Sequence, residues 1–151
     1  MKILFVCTGN TCRSVLAHYY ANKVAAEREL PPEFYSAGLA ADAGIPQPAI
    51  VAQLLEKEGI KDFKHIPVPL TAELAKKYGL ILAMTADQKA RIAGLYPEAA
   101  KKTFTLNDYA GVVGGDIADP YGCDDDFYTG VFEIIKTAVK AAIEKLKKEV
   151  K

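Results

Sequence analysis

Short apolar segments alternate with longer amphipathic ones along this chain. Residues 3–6 are continuously apolar and are followed closely by Gly9, a pattern typical of a strand buried on both faces of a parallel sheet. A second segment of this kind covers residues 80–84, and shorter candidate strands cover residues 34–36 and 103–105. The pattern therefore predicts four strands.

Helical periodicity separates these strands. It predicts a helix from residue 14 to about residue 28 and a second helix that ends near Gly59, a residue suited to a C-terminal cap. Thr85 and Gln88 have the spacing of a capping box and predict a helix through about residue 95. A last helix is predicted from apolar residues spaced by four, three, four and four: Val131, Ile135, Ala138, Ala142 and Leu146.

Strands that alternate with helices predict an α/β fold, here a single domain covering residues 1–151. Its four-stranded parallel sheet is expected to carry helices on both faces. Residues 107–127 are expected to form a Gly- and Asp-rich loop, which contains six Asp and no Lys or Arg. Ligands of such folds bind beyond the carboxyl ends of the strands, which is where the first strand places Cys7.

The composition narrows the range of functions. Half of the 151 residues are hydrophobic and a quarter are charged, as in ordinary globular proteins. The 19 basic and 19 acidic side chains cancel, which argues against a nucleic-acid partner. No apolar segment approaches the length of a membrane span, and three cysteines do not fit a secreted disulfide scaffold. We therefore expect a cytoplasmic protein.

The segment from Cys7 to Ser14 joins the first strand to the first helix, with five residues between Cys7 and Arg13. Backbone N–H groups of such a loop can surround a tetrahedral oxyanion, assisted by the positive end of the helix. Arg13 adds a planar, two-pronged donor, and Gly9 and Asn10 tolerate left-handed backbone angles. This positive environment favours the thiolate of Cys7, so the loop predicts a nucleophile directed at phosphorus.

A thiolate nucleophile also requires an acid that protonates the leaving oxygen or nitrogen. Asp119 precedes Pro120 in the acidic loop, where neighbouring carboxylates disfavour its ionised form. An Asp-Pro pair is also typical of an ordinary turn.

The spacing of Cys7 and Arg13 alone would also fit a buried cysteine with a surface arginine. The position of Cys7 at a predicted strand–helix junction favours the phosphate loop.

The residues from Val6 to Ser14 resemble the phosphate loop of the low-molecular-weight protein tyrosine phosphatases. The resemblance continues in order over nearly the whole chain, through Ser36-Ala37-Gly38, Pro69-Leu70-Thr71, Leu82-Ala83-Met84-Thr85 and Asp119-Pro120-Tyr121-Gly122. It implies a doubly wound α/β fold and a two-step hydrolysis of phosphorylated protein substrates without a metal or another cofactor.

The resemblance also implies a role for each residue of the site. Cys7 would attack phosphorus to form a phosphocysteine, Arg13 would bind the phosphoryl oxygens, and Asp119 would act first as acid and then as base. Inorganic phosphate or another oxyanion would bind in the loop. The further residues expected to contact phosphate or substrate are Thr8, Gly9, Asn10, Thr11, Cys12, Ser14 and Tyr121.

Four of the matched residues have supporting roles in the family. Asn10 matches an asparagine that holds the loop, and Ser14 matches a hydroxyl that supports the thiolate. Cys12 matches a cysteine that can pair with Cys7 under oxidation, although a small buried residue would also fit that position. His65 stands where the family often has a histidine that supports the loop, although it would also fit as a surface histidine.

Two departures from the family bear on the substrate. Many tyrosine-directed members carry Trp or another aromatic residue after the Ser-Ala-Gly segment, whereas residues 39–44 here contain none and the chain has no Trp. Thr11 stands where those members usually carry a larger aliphatic residue, and in this respect the chain resembles the protein-arginine-phosphatase branch. We expect a phosphatase for phosphotyrosine or phosphoarginine, with phosphoarginine favoured.

Other uses of the same loop stay open at this point. A phosphocysteine carrier would need no leaving-group acid, and an arsenate reductase would need further cysteines, for which Cys123 alone is poor provision. A non-catalytic module that only binds oxyanions would have no need for Cys7. We expect a monomeric protein that acts on phosphoproteins and binds neither nucleic acid nor membranes.

Overall fold

A parallel sheet of four strands forms the centre of the structure, a computed structural model that describes residues 1–31 and 33–149. The strands are β1 (Ile3–Cys7), β2 (Phe34–Gly38), β3 (Leu80–Ala83) and β4 (Thr103–Thr105). Their order in the sheet is β2-β1-β3-β4, and every pairing is parallel. The predicted four-stranded parallel sheet is confirmed.

Helices cover both faces of this sheet. They are α1 (Arg13–Glu27), α2 (Ala49–Lys57), α3 (Ala72–Lys77), α4 (Ala86–Leu95), α5 (Leu106–Ala110), α6 (Asp125–Glu149) and a 3₁₀ helix at Pro97–Lys102. The apolar positions predicted for the last helix are all buried in α6. None of the helices described in residues 1–31 and 33–149 is both long and apolar enough to cross a membrane.

The side chains of β1 alternate between two hydrophobic cores. Ile3, Phe5 and Cys7 pack with residues of α1, α2, α5 and α6. Leu4 and Val6 point to the opposite face, where the core contains residues of α3, α4 and the 3₁₀ helix. Successive side chains of a strand point to opposite faces, so a strand covered on both sides must be apolar throughout. This requirement explains the continuous apolar run of β1.

Three short helical segments were not expected from the sequence: α3, α5 and the 3₁₀ helix. The predicted loop at residues 107–127 is wrong at both of its ends, because α6 begins at Asp125 and residues 106–110 form α5. The side chain of Thr105 accepts a hydrogen bond from the backbone N–H of Asp108 (3.1 Å) at the start of this helix, and Gly111 ends it with a φ of 72°. Five residues are too few to establish a helical period, so only the caps could have indicated this helix.

The strand order places β1 between β2 and β3, so the loops that leave these strands meet at one edge of the sheet. The backbone N–H groups of Leu39 and Ala40 donate to the carbonyl oxygens of Cys7 (3.0 Å) and Thr8 (2.8 Å). A Cβ atom at Gly38 would lie 2.7 Å from the carbonyl oxygen of Thr8. Gly38 therefore allows the chain after β2 to lie directly against the loop after β1.

His18 is partly buried and joins α1 to β2. Its Nδ1 lies 2.8 Å from Ser36 Oγ, a hydrogen-bonding distance, and its ring stacks on Tyr19. Burial, with a smaller contribution from His65, lowers the pKa of His18 to about 3. The folded protein therefore holds His18 in its neutral form.

Because His18 is neutral in the folded protein, we expect the free energy of unfolding to decrease in mild acid. As the pH falls below 6.5, the unfolded chain binds a proton at His18 and the folded chain does not, so the free energy of unfolding decreases. Between pH 7.5 and 5 the loss attributable to His18 is about 2 kcal/mol. Urea denaturation should show this loss in the wild type and not in His18→Gln, which cannot titrate. An equal loss in both proteins would contradict the assignment.

Candidate active site

A cavity of about 280 Å³ opens beyond the carboxyl end of β1. It brings together all of the predicted site residues except Asn10 and Ser14. The residues that line it are Cys7, Thr8, Gly9, Thr11, Cys12, Arg13, Ala40, Asp42, Ile45, Asp119 and Tyr121. Asn10 and Ser14 do not line the cavity, and their side-chain hydrogen bonds hold the loop in place.

Cys7 is the last residue of β1 and lies at the base of the cavity. Its Sγ is 2.9 Å from Ser14 Oγ and accepts a hydrogen bond from the backbone N–H of Asn10 (3.3 Å). Ser14 is the second residue of α1, so the sulfur lies close to the helix N-terminus, where unpaired N–H groups favour negative charge. This environment suits both a thiolate and a bound oxyanion.

The Asn10 side chain ties three segments together. Its Nδ2 donates to Ser14 Oγ (2.8 Å), while its Oδ1 accepts from Val68 N (2.9 Å) and lies 2.8 Å from His65 Nε2. Asn10 is fully buried and has a φ of 55°, in the left-handed region that asparagine tolerates better than most residues. The hydrogen bonds of this side chain thus offset the energetic cost of the strained backbone and fix the curvature of the loop.

The position of His65 is that of a loop-supporting residue and not that of a free surface histidine. Its Nδ1 and the carbonyl oxygen of Lys64 both lie 3.1 Å from the hydroxyl of Tyr19, whose single proton can be donated to either acceptor. Burial lowers the pKa of His65, so the ring is neutral at pH 7. Because Asn10 Oδ1 is only an acceptor, the single ring proton must lie on Nε2.

Arg13 is 5% exposed and extends along one side of the cavity. Its Nη1 donates to the carbonyl oxygen of Ile117 (2.9 Å), and its Nη2 lies 3.7 Å from Asp119 Oδ2. Its Nε is buried and has no hydrogen-bond partner among the described residues. Buried donors are nearly always paired, so the N–H at Nε is available to donate to an oxyanion bound in the cavity.

Asp119 reaches the cavity from the loop between α5 and α6. This loop is anchored at its start, where the N–H of Ile117 donates to the carbonyl oxygen of Met84 (3.0 Å) and Asp116 Oδ1 accepts from Ala86 N (2.8 Å). Asp119 Oδ1 accepts from the N–H of Tyr121 (3.1 Å). The carboxylate is therefore oriented at the exposed mouth of the cavity, where a leaving group would depart.

Cys12 is the N-cap residue of α1 and is buried. Its Sγ lies 3.5 Å from the hydroxyl of Tyr128. Burial raises the pKa of the Cys12 thiol, so Cys12 is protonated at neutral pH. Cys7, Cys12 and the exposed Cys123 are all free.

Four residues of this region were not identified as site residues from the sequence. Ala40, Asp42 and Ile45 form the wall contributed by the loop after β2. Gln88, expected only as part of a capping box, does form that box at the start of α4, and its Nε2 also donates to Thr8 Oγ1 (3.1 Å). The capping role is visible in the local sequence, but the contact with Thr8 depends on the pairing of β1 with β3.

Comparison with known proteins identifies the family of this chain. The family model described as low molecular weight phosphotyrosine protein phosphatase matches residues 2–151. The chain is 36% identical over 150 residues to the protein-arginine-phosphatase of Bacillus subtilis (strain 168), with 99% of each chain covered. It is 34% identical over 138 residues to the low molecular weight protein-tyrosine-phosphatase Ptp of Acinetobacter johnsonii, with 91% of this chain and 92% of that protein covered.

A solved structure of a YwlE arginine phosphatase mutant with a phosphorylated active site serine has a similar fold. It superimposes with a TM-score of 0.92 at 33% identity, covering 98% of this chain and 97% of that chain. A phosphorylated active-site side chain in that protein is consistent with a covalent phosphoenzyme intermediate.

Substitutions of Asn10 should separate its side-chain contacts from its backbone conformation. Asn10→Gly and Asn10→Ala both remove the contacts with Ser14, His65 and Val68, so we expect either variant to lower kcat on an aryl phosphate at least tenfold. At a φ of 55°, alanine should cost about 1 kcal/mol more than glycine in unfolding free energy. Steady-state kinetics and urea denaturation measure the two effects. Unchanged kcat in both variants would refute the positioning role.

Proposed function

Because this chain belongs to the low molecular weight phosphotyrosine protein phosphatase family and is a protein phosphatase, we propose that it removes phosphate from phosphoarginine in its protein substrates. The observation that carries the proposal is the position of Thr11, which is 8% exposed and lines the cavity beside Cys7. Its hydroxyl can accept a hydrogen bond from a guanidinium, which a larger aliphatic residue could not do. The 36% identity to a protein-arginine-phosphatase over the full chain supports the same substrate.

The proposed first step transfers the phosphoryl group to Cys7. The thiolate attacks phosphorus opposite the leaving nitrogen, an S–P bond forms, and the P–N bond breaks with its electron pair moving to nitrogen. Asp119, 3.7 Å from Arg13 at the cavity mouth, donates the proton that the nitrogen requires. Arg13 and the N–H groups of the loop hold the phosphoryl oxygens, where they stabilise the negative charge of the transition state.

The proposed second step releases phosphate. Asp119, now a carboxylate, accepts a proton from a water molecule as the water oxygen attacks phosphorus. The S–P bond breaks and its electron pair returns to Cys7, leaving inorganic phosphate in the loop. Arg13 stays tethered to the carbonyl oxygen of Ile117 throughout, so the same donors serve both steps without rearrangement.

The alternative uses of the loop are not favoured. A phosphocysteine carrier has no step that requires Asp119 beside Arg13. An arsenate reductase needs cysteines that relay a disulfide, and Cys123 is exposed and lies outside the residues that line the cavity. Hydrolysis of phosphoproteins uses Cys7, Arg13 and Asp119 together and is the function of the family.

Pairing of Cys7 with Cys12 under oxidation stays a prediction. Both cysteines are free and line one cavity, as a reversible disulfide between them would require. We also propose that the enzyme acts in the cytoplasm, because free cysteines suit a reducing compartment, and that it acts as a monomer. Its balanced charge provides no general attraction to nucleic acid or to anionic membranes.

A direct comparison of two substrates tests the proposal. We expect a higher kcat/KM for a phosphoarginine peptide than for a phosphotyrosine peptide of matched sequence. Thr11→Ile should lower the ratio of the two values about tenfold or more, because a hydrogen-bonding site that loses its polar group discriminates less. Thr11→Ser retains the hydroxyl and should retain most of the preference. A wild type that favours phosphotyrosine would contradict the proposed substrate.

Substitution of the two reacting groups tests the mechanism. Cys7→Ser should abolish turnover, since serine is a far weaker nucleophile at neutral pH. Asp119→Asn should lower kcat about 10²- to 10⁴-fold, with a smaller loss on p-nitrophenyl phosphate, whose leaving group needs little protonation. Asp124→Asn, which alters a carboxylate outside the cavity lining, serves as the control. Normal turnover by Asp119→Asn would instead favour the carrier.

A further inference from the structure

Asp42 has no role in the mechanism described above, yet it lines the cavity together with Cys7, Arg13 and Asp119. We infer that Asp42 is a specificity-determining residue whose carboxylate accepts N–H groups from the guanidinium of phosphoarginine, opposite Asp119. The inference rests on the proposed phosphoarginine substrate. It adds a residue that recognises the edge of the guanidinium plane that lies away from Asp119.

The sheet order places the two carboxylates on opposite sides of the phosphate loop. Asp42 follows β2, which pairs with one edge of β1, whereas the loop carrying Asp119 is anchored to the end of β3, which pairs with the other edge. The loop after β1 therefore lies between them. When the phosphoryl group of a substrate is held at Cys7, the rest of the substrate would extend outward between Asp42 on one side and Asp119 on the other.

The Asp42 carboxylate is held in place locally. Its Oδ1 accepts from the N–H of Gly44 (2.8 Å), and its backbone carbonyl accepts from the N–H of Ile45 (3.0 Å). The start of the same loop is fixed to the phosphate loop through Ala40 N and Thr8 O. None of the ion pairs found in residues 1–31 and 33–149 involves Asp42, so no basic side chain there competes for its charge.

The chemistry of the two substrates differs on this side of the cavity. A phosphorylated guanidinium carries N–H donors on both edges of its plane, and charge-assisted hydrogen bonds to carboxylates are stronger than neutral ones. A phosphotyrosine ring presents only C–H groups beyond its ester oxygen and would offer the Asp42 carboxylate no N–H donor. The carboxylate wall therefore favours phosphoarginine and disfavours phosphotyrosine.

Kinetics of Asp42→Asn on two substrates test the assignment. Asparagine retains an oxygen that can accept from Gly44 N, so the loop should keep its conformation while the charge is lost. We expect kcat/KM for a phosphoarginine peptide to fall about tenfold, mainly through KM, with kcat/KM for p-nitrophenyl phosphate unchanged or slightly raised. Asp87→Asn removes an exposed charge at the start of α4, outside the cavity lining, and should alter neither value.

The other outcomes are distinguishable. Unchanged phosphoarginine kinetics in Asp42→Asn, with an active wild type, would refute the role of Asp42 and leave the proposed function intact. An equal loss on both substrates would also refute it, because the effect would then be structural. A wild type that hydrolyses p-nitrophenyl phosphate but not the phosphoarginine peptide would overturn the proposed substrate, and the role of Asp42 with it.

Discussion

The buried side chain of Asn10 is the contact on which the rest of the site depends. One amide joins the phosphate loop to Ser14 in α1 and to the segment containing His65 and Val68. It holds the left-handed backbone φ of 55° at Asn10 within the loop. Because Ser14 in turn contacts Cys7, the position of the sulfur follows from this amide. Strain in the loop is thus offset by hydrogen bonds that come from outside it.

The floor and the walls of the cavity have different structural origins. The floor is a continuous strand, loop and helix, in which Cys7, the loop N–H groups and Arg13 provide a positive site for phosphate. The walls come from the loops after β2 and α5, which contribute Asp42 and Asp119. The floor holds the proposed nucleophile, the phosphate donors and Thr11, whereas the proposed acid Asp119 and Asp42 come from loops, which can vary without disturbing the sheet.

Sequence reasoning succeeded where the signal was long or local. The strands β1 and β3 and the helix α6 have clear apolar patterns, and Thr85 with Gln88 forms the predicted capping box. It failed for α3 and α5, which have six and five residues and depend on caps from Thr71 and Thr105. The contact between His18 and Ser36 could not be predicted either, because no local pattern shows that β2 would place Ser36 against His18.

The proposed nucleophile Cys7 and the proposed phosphate-binding Arg13 could be inferred from eight consecutive residues, because a strand, a tight loop and a helix N-terminus follow one another there. The groups around them could not be found in this way. His65 contacts Asn10 across 55 residues of sequence, and Ile117 accepts from Arg13 across 104. Asp42 and Gln88 reach the same loop only because β1 lies between β2 and β3. Such contacts are determined by strand order and packing, which no short stretch of sequence encodes.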